Sequence, residues 1–174
     1  VSAITSSLYS SDSSHAGGLA GCYGQIINSY SMSSVAAASS SSSEIYVGGL
    51  AGDGESVVNS YSISSITITA SSPRTSYVGG LIGESSGTVD ICYSNSVINM
   101  PLITSDKTYA GGLVGYQKSG AISRCFNKGS IVVASTWPGS YTGGLVGYQF
   151  DKCVITNCYN TGSVSSSSNS GGLV

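Results

Sequence analysis

Apolar residues fall in short runs along this chain, each bounded by Gly, Asn or Ser, and the runs recur in one order. The plainest marker is Gly-Gly-Leu, which begins at Gly17, Gly48, Gly79, Gly111, Gly143 and Gly171, at intervals of 31, 31, 32, 32 and 28 residues. Two residues before each Gly pair stand Tyr46, Tyr77, Tyr109 and Tyr141, with His15 in that place in the first unit and Asn169 in the last. Further on, Ile26, Val57, Val89, Ile122 and Ile155 each lie four residues before an aromatic, at Tyr30, Tyr61, Tyr93, Phe126 and Tyr159. Ser29, Ser60, Cys92, Cys125 and Cys158 immediately precede that aromatic, and Val35, Ile66, Val97, Ile131 and Val164 follow it by four or five residues. Short runs rich in Val, Ile, Tyr and Thr predict strands, and no stretch sustains the period of an amphipathic helix. The nearest, Val35 to Ser43, is dominated by serine.

Self-similarity at a period near 31 residues is the signature of a solenoid. The expected fold is all-β, a parallel β-helix with about one coil of three short strands per repeat, each strand pairing with its counterpart one coil later. General chirality of parallel connections predicts a right-handed coil. The indels between units fall after GGLxG and in the Ser-rich stretch before the tyrosine, which places the loops there. Residues 1–174 read as a single solenoid segment, with repeats starting near 15, 46, 77, 109 and 141 and a truncated sixth from about 169. The partial units at both ends suggest a window onto a longer array.

The glycines carry two readings. As architecture, Gly17, Gly18, Gly48, Gly49, Gly79, Gly80, Gly111, Gly112, Gly143 and Gly144 form corners, where φ is positive or backbones of successive coils meet closely. Leu19, Leu50, Leu81, Leu113 and Leu145 then enter the core. The rival is a phosphate cradle, which wants a following helix and a Lys-Ser/Thr closure that this sequence lacks.

Composition narrows the function classes. Six Lys plus Arg against eight Asp plus Glu give a net charge of -2, which offers nothing to nucleic-acid phosphates. No apolar stretch reaches the ~18–20 residues of a membrane span. Hydrophobic residues at 40% supply a core, and charged residues at 8% leave serine to cover the surface.

Candidate chemistry is sparse. Cys92, Cys125 and Cys158 share one position and read as a thiol ladder, with disulfides as the alternative; five cysteines leave at least one unpaired, and no C-x-x-C spacing suggests zinc. Asp53 and Glu84 share another position, where later units have Tyr116 and Tyr148. Stacked about 5 Å apart they would resemble a retaining-glycosidase pair, or serve as two solvated turn residues. His15 shows no acid at a corresponding position and no nucleophile, so it reads as a row-filling residue. Tyr46, Tyr77, Tyr109 and Tyr141 form either a packing ladder or an aromatic strip for sugars or a partner fibre. Ser runs are turns or O-glycan sites, and the chain contains no N-x-Ser/Thr sequon.

The unit from Tyr141 to Val164, YTGGLVGYQ followed by ITNCYNTGSV, resembles the GLUG motif family of secreted and cell-surface proteins. The first two units depart by having serine in place of the cysteine and lacking the NxGS ending. The resemblance implies a β-solenoid and an exposed stalk or adhesive array, and no catalytic residue. The expectation is therefore a structural, non-enzymatic extracellular repeat protein without cofactor, forming a stalk, filament or appendage. Its expected partners are further copies of itself in lateral or end-to-end fibre contacts. A glycan- or host-binding adhesin is the alternative, and a carbohydrate-active β-helix enzyme comes third.

Overall fold

A computed structural model describes residues 2–8, 13–39, 43–70, 74–103, 107–135, 137–150 and 152–174, and every regular element among them is a strand. All strand pairs are parallel, and each strand pairs with its counterpart in the neighbouring repeat. The chain is thus a β-solenoid, one coil per repeat.

The fourth repeat shows the plan of a coil. Lys107–Gly111 belongs to a first sheet, Val114–Gln117 and Ala121–Ser123 to a second, Phe126–Asn127 to a third, and Ile131–Ser135 to a fourth. The expected three strands per coil are thus resolved into five segments on four sheets. The finer division follows from the motif itself: Gly112 and Leu113 bend the chain between the first and second sheets, and Lys118 to Gly120 form a turn within the second. In the first two repeats that turn is absent, and single strands run through at Ala20–Ile27 and Ala51–Val58. The indel expected after GGLxG is this turn; much of the serine-rich stretch before the tyrosine, residues 40–42 and 71–73, lies outside the described residues.

The core is built from rows. Val47, Val78 and Ala110 line the inner side of the first sheet, with Ile66, Ile98 and Ile131 opposite on the fourth. Leu50, Leu81, Leu113 and Leu145 are fully buried beside Val57, Val89 and Ile122 of the second. Leu19 departs from the expected inward row at 52% exposure, and Leu173 is 46% exposed, because each lies on a terminal coil with the leucine row covered on one side only. Val97 is also corrected: Ile98 pairs with Ile66 and Ile131, and Val97 is 47% exposed. The spacing from the aromatic is five in every unit, and a slip of one residue along a strand reverses the face.

Serine and asparagine form a second interior column. In the early coils, Ser62 and Ser64 lie 2.9 Å apart and Ser62 reaches Ser96 at 3.0 Å, while Ser96 donates to the Gly80 carbonyl at 2.9 Å. In the later coils one carboxamide replaces the pair: Asn127 accepts from the Gly129 amide at 3.0 Å, donates to the Gly129 carbonyl at 3.1 Å and donates to Asn160 at 2.9 Å. The NxGS ending and its S-x-S substitute are two ways of filling one buried polar column, which satisfies the backbone as burial requires.

The glycine corners are explained by space. None of the Gly-Gly-Leu glycines has a positive φ. A Cβ on Gly79 would meet the Ile82 carbonyl oxygen at 1.8 Å, and one on Gly80 would meet the Gly112 carbonyl oxygen at 2.2 Å and Ser94 Oγ at 2.4 Å. The left-handed corner lies elsewhere, at Asn28, Asn59, Ile91, Arg124 and Asn157, with φ of 53, 48, 52, 53 and 54°. Asn tolerates this region, whereas a β-branched residue is strained there by ~1–2 kcal/mol. Because Ile91 is 45% exposed and buries little, Ile91→Asn is expected to stabilise the protein by about 1 kcal/mol, read from the urea midpoint. An unchanged or lower midpoint would show that this corner is not strained.

Candidate binding surface

Tyrosines alternate with buried residues along the first sheet and therefore point outward: Tyr46 stands between buried Ile45 and Val47. The strand register carries His15, Tyr46, Tyr77, Tyr109, Tyr141 and Asn169 into one row. Ring centroids are 4.6 Å apart for His15–Tyr46 and for Tyr46–Tyr77, 5.6 Å for Tyr77–Tyr109 and 6.1 Å for Tyr109–Tyr141. Each ring's faces are thus largely occupied by its neighbours, and edges and hydroxyls turn to solvent.

The register of the second sheet aligns Cys22, Asp53, Glu84, Tyr116 and Tyr148. Tyr116 and Tyr148 stack at 5.7 Å, and Tyr116 meets Tyr77 at 64° with centroids 5.5 Å apart. Between the two tyrosine rows runs a groove of about 420 Å³, with Glu44 and Glu84 in its lining and Lys118 beside them. Tyr46 donates its phenolic hydrogen to Glu44 Oε2 at 2.8 Å, and Lys118 Nζ lies 3.6 Å from Glu84 Oε1. Burial pushes the Glu84 carboxyl above the usual range; Lys118 offsets part of this, and Asp53 and Glu44 add to it. Burial also pushes the Tyr46 and Tyr77 phenols up, with Glu44 contributing to both.

Asp53 and Glu84 are register partners on adjacent strands. His15 was expected to lack an acid, and this is corrected: its Nε2 lies 3.6 Å from Asp53 Oδ2, and Cys22 Sγ lies 4.0 Å from the same oxygen. The acid escaped the sequence columns because His15 and Asp53 come from different sheets of neighbouring coils. Among the described residues no group of three or more His, Cys, Asp or Glu side chains is arranged to hold a metal ion.

A second aromatic row was visible as a column in the sequence but was not singled out as a surface. Tyr30, Tyr61, Tyr93, Phe126 and Tyr159 stack at 5.2, 4.7, 5.0 and 5.1 Å along the third sheet. Beside it, the left-handed corner residues wall a groove of about 440 Å³. Arg124 there makes a two-pronged ion pair with Asp90, and the Arg124 guanidinium, with the Ser123 hydroxyl, holds the Asp90 carboxyl below its usual range.

The cysteine position has a specific task. Cys125 Sγ accepts the Cys92 amide hydrogen at 3.3 Å and donates to the Ser123 carbonyl at 2.9 Å; Cys158 does the same for the Cys125 amide at 3.3 Å and the Thr156 carbonyl at 3.1 Å. Ser60 performs it in an early coil, accepting from the Ser29 amide at 3.0 Å and donating to the Val58 carbonyl at 2.9 Å. Cys92, Cys125 and Cys158 are all free thiols, as is Cys22. The hydrogen bond with Cys92, together with burial, pushes the Cys125 thiol up, and burial raises that of Cys158. Cys125→Ser is therefore expected to change stability by less than about 1 kcal/mol, whereas Cys125→Ala should cost about 1–3 kcal/mol by orphaning the buried Cys92 amide. Thermal unfolding of the two variants side by side checks this; equal losses would rule out the hydrogen-bonding role.

The glycine loops are not anion cradles, because their amides are already used. Gly49 N donates to Gly79 O at 3.2 Å, Leu50 N to Leu81 O at 2.9 Å, Gly80 N to Gly111 O at 3.0 Å and Gly112 N to Gly143 O at 3.2 Å.

Residues 138–165 match the family model of the GLUG motif. No curated protein and no solved structure matches the chain.

Proposed function

We propose that this β-solenoid is a structural extracellular repeat protein, a rigid stalk or filament segment without catalytic activity. One observation carries the reading: among the described residues the inner and outer rows keep their register from coil to coil, apart from one shift between Met100 and Ile103. Tyr46, Tyr77, Tyr109 and Tyr141 pair in series on the first sheet, as Ile66, Ile98 and Ile131 do on the fourth. A chain built this way extends along one axis by ~4.8 Å per coil, and its stability is a sum of nearest-neighbour terms. The GLUG match in residues 138–165 supports a surface location through the family that motif defines.

Electron microscopy of chains carrying one, two and three copies of the array tests this. The expected result is unbranched rods that lengthen by ~5 Å with each added repeat. Particles whose longest dimension does not scale with repeat number would overturn it.

Adhesion is a second reading, favoured by the two outward aromatic rows and their grooves. A glycan array probed with the purified chain addresses it, and an array with no hits removes sugars as the ligand. Asp53 and Glu84 provide the only motive for an enzymatic reading; loss of any polysaccharide cleavage in Glu84→Gln would support that reading, and no cleavage by the parent chain would end it.

A further inference from the structure

The groove between the tyrosine rows holds charges that the architecture does not require. Behind it the core is closed: Val47, Val78, Leu50 and Leu81 are each fully buried. A stacked tyrosine row needs no carboxylate, and the position of Glu84 is filled by Cys22, Asp53, Tyr116 and Tyr148 in the other coils. Glu84 is nevertheless only 9% exposed, which is a costly place for an ionised group without close compensation. Its cationic partner, Lys118, is loosely held, with 3.6 Å between the charged atoms and a side chain 61% exposed. Burial, with added negative charge from Asp53 and Glu44, holds the Glu84 carboxyl above its usual range despite Lys118.

The surrounding rings decide what kind of cation fits. Tyr46 and Tyr77 lie parallel at 4.6 Å, while Tyr116 stands at 64° to Tyr77, so ring edges with hydroxyls and a differently oriented ring converge on one concavity. Carboxylates beside aromatic walls favour a cation that carries an apolar shell, which buries its carbon against the rings while its charge pairs with a carboxylate. A hard metal ion wants several oxygen ligands at once, and no such donor group is assembled among the described residues. A neutral sugar would form no ion pair with the carboxylates, and the flat faces of Tyr46 are covered by His15 and Tyr77, those of Tyr77 by Tyr46 and Tyr109.

The geometry points to a binding site for a small organic ammonium ion in the groove formed by Glu44, Tyr46, Tyr77, Glu84 and Tyr116, taken up in exchange for the Lys118 ammonium. A volume near 420 Å³ suits one small ligand or one amine-bearing group. The shared chemistry is an ammonium with attached carbon; a polyamine, a quaternary amine and an amino sugar are its possible sources. The site does not depend on the stalk reading, since it needs only three adjoining coils.

Titration of the purified chain with choline, cadaverine and glucosamine, with glucose as the neutral control, tests the assignment by tyrosine fluorescence and NMR. Saturable binding of at least one cation is expected, with no response to glucose, and the cation bound most tightly identifies the source. Lys118→Ala removes the internal competitor and should tighten binding several-fold. Glu84→Gln and, separately, Glu44→Gln should weaken it about tenfold, the loss of one close charge pair. Two carboxylate variants guard against misfolding in either, and circular dichroism verifies the fold of each. Glucose binding as well as glucosamine, unaltered or weaker binding in Lys118→Ala, or no saturable binding of any cation would each overturn the site. Rod length in electron micrographs is unaffected by any of these outcomes, so the two readings fail independently.

Discussion

Alanine at Gly80 is expected to destabilise this protein by about 3 kcal/mol, and alanine at Gly172, the same motif position in the last unit, by almost nothing. The added methyl at Gly80 would sit 2.2 Å from the Gly112 carbonyl oxygen, 2.4 Å from Ser94 Oγ and 3.1 Å from the Gly112 carbonyl carbon. Two of those atoms are backbone of the next coil, which cannot yield without stretching the bond from Gly80 N to Gly111 O. The third is a buried hydroxyl fixed in the polar column. Relief therefore demands separating two coils, and that disturbs every row crossing the gap. At Gly172 no atom lies within 4 Å of the added methyl and φ is not positive, so alanine only restricts the unfolded chain, which favours folding slightly. Urea unfolding of both variants separates steric from conformational explanations of the motif. If Gly80→Ala proved as mild as Gly172→Ala, close coil-to-coil approach would not be the reason for the glycine pair.

That contrast also marks how much the sequence disclosed. The repeat length, the parallel stacking and the inward leucines could be read from Gly-Gly-Leu alone, because a solenoid restates each structural constraint once per coil. The role of the glycines was left between two options: positive φ and close approach look alike in sequence, and only the backbone path separates them. The left-handed corner went unnoticed for a physical reason. Three of its five residues are Asn, but Ile91 and Arg124 hide the column. The Cys/Ser exchange was visible, yet its cause, a group that accepts from one coil while donating to its own strand, needed atomic positions. Most of the candidate groove was in the same category. Tyr46 and Tyr77 were in view as a row and Glu84 as half of an acid pair. Their meeting depends on the bend at Gly80 and Leu81, which folds the second sheet against the first. The NxGS and S-x-S endings looked like divergence of the early repeats, and they are two equivalent fillings of one column.

Leu81→Ala is expected to cost about 2–5 kcal/mol, and Leu19→Ala less than about 1 kcal/mol, although the two occupy identical motif positions. Leu81 is fully buried among leucines, Val89 and Cys92 in a row that continues on both sides, and its amide and carbonyl are engaged with Leu113 and Leu50 at 2.9 Å each. Those two backbone bonds tie its coil to both neighbours, so the surroundings have little freedom to collapse into a cavity, and incomplete collapse is what makes such truncations costly. Leu19 is 52% exposed, with one neighbouring leucine and open solvent beyond, so removing its side chain forfeits only part of the burial and leaves no enclosed void. In a globular core the two losses would spread through a shared interior. In a stack of coils each loss is confined to the two interfaces that a coil makes, and Leu81 makes both while Leu19 makes one. Hydrogen exchange would locate the effect: faster exchange in Leu81→Ala is expected at Leu50, Ala51, Ile82 and Val114, amides in hydrogen bonds on either side of the cavity. Uniform acceleration across all coils would mean that the array unfolds as one unit rather than coil by coil.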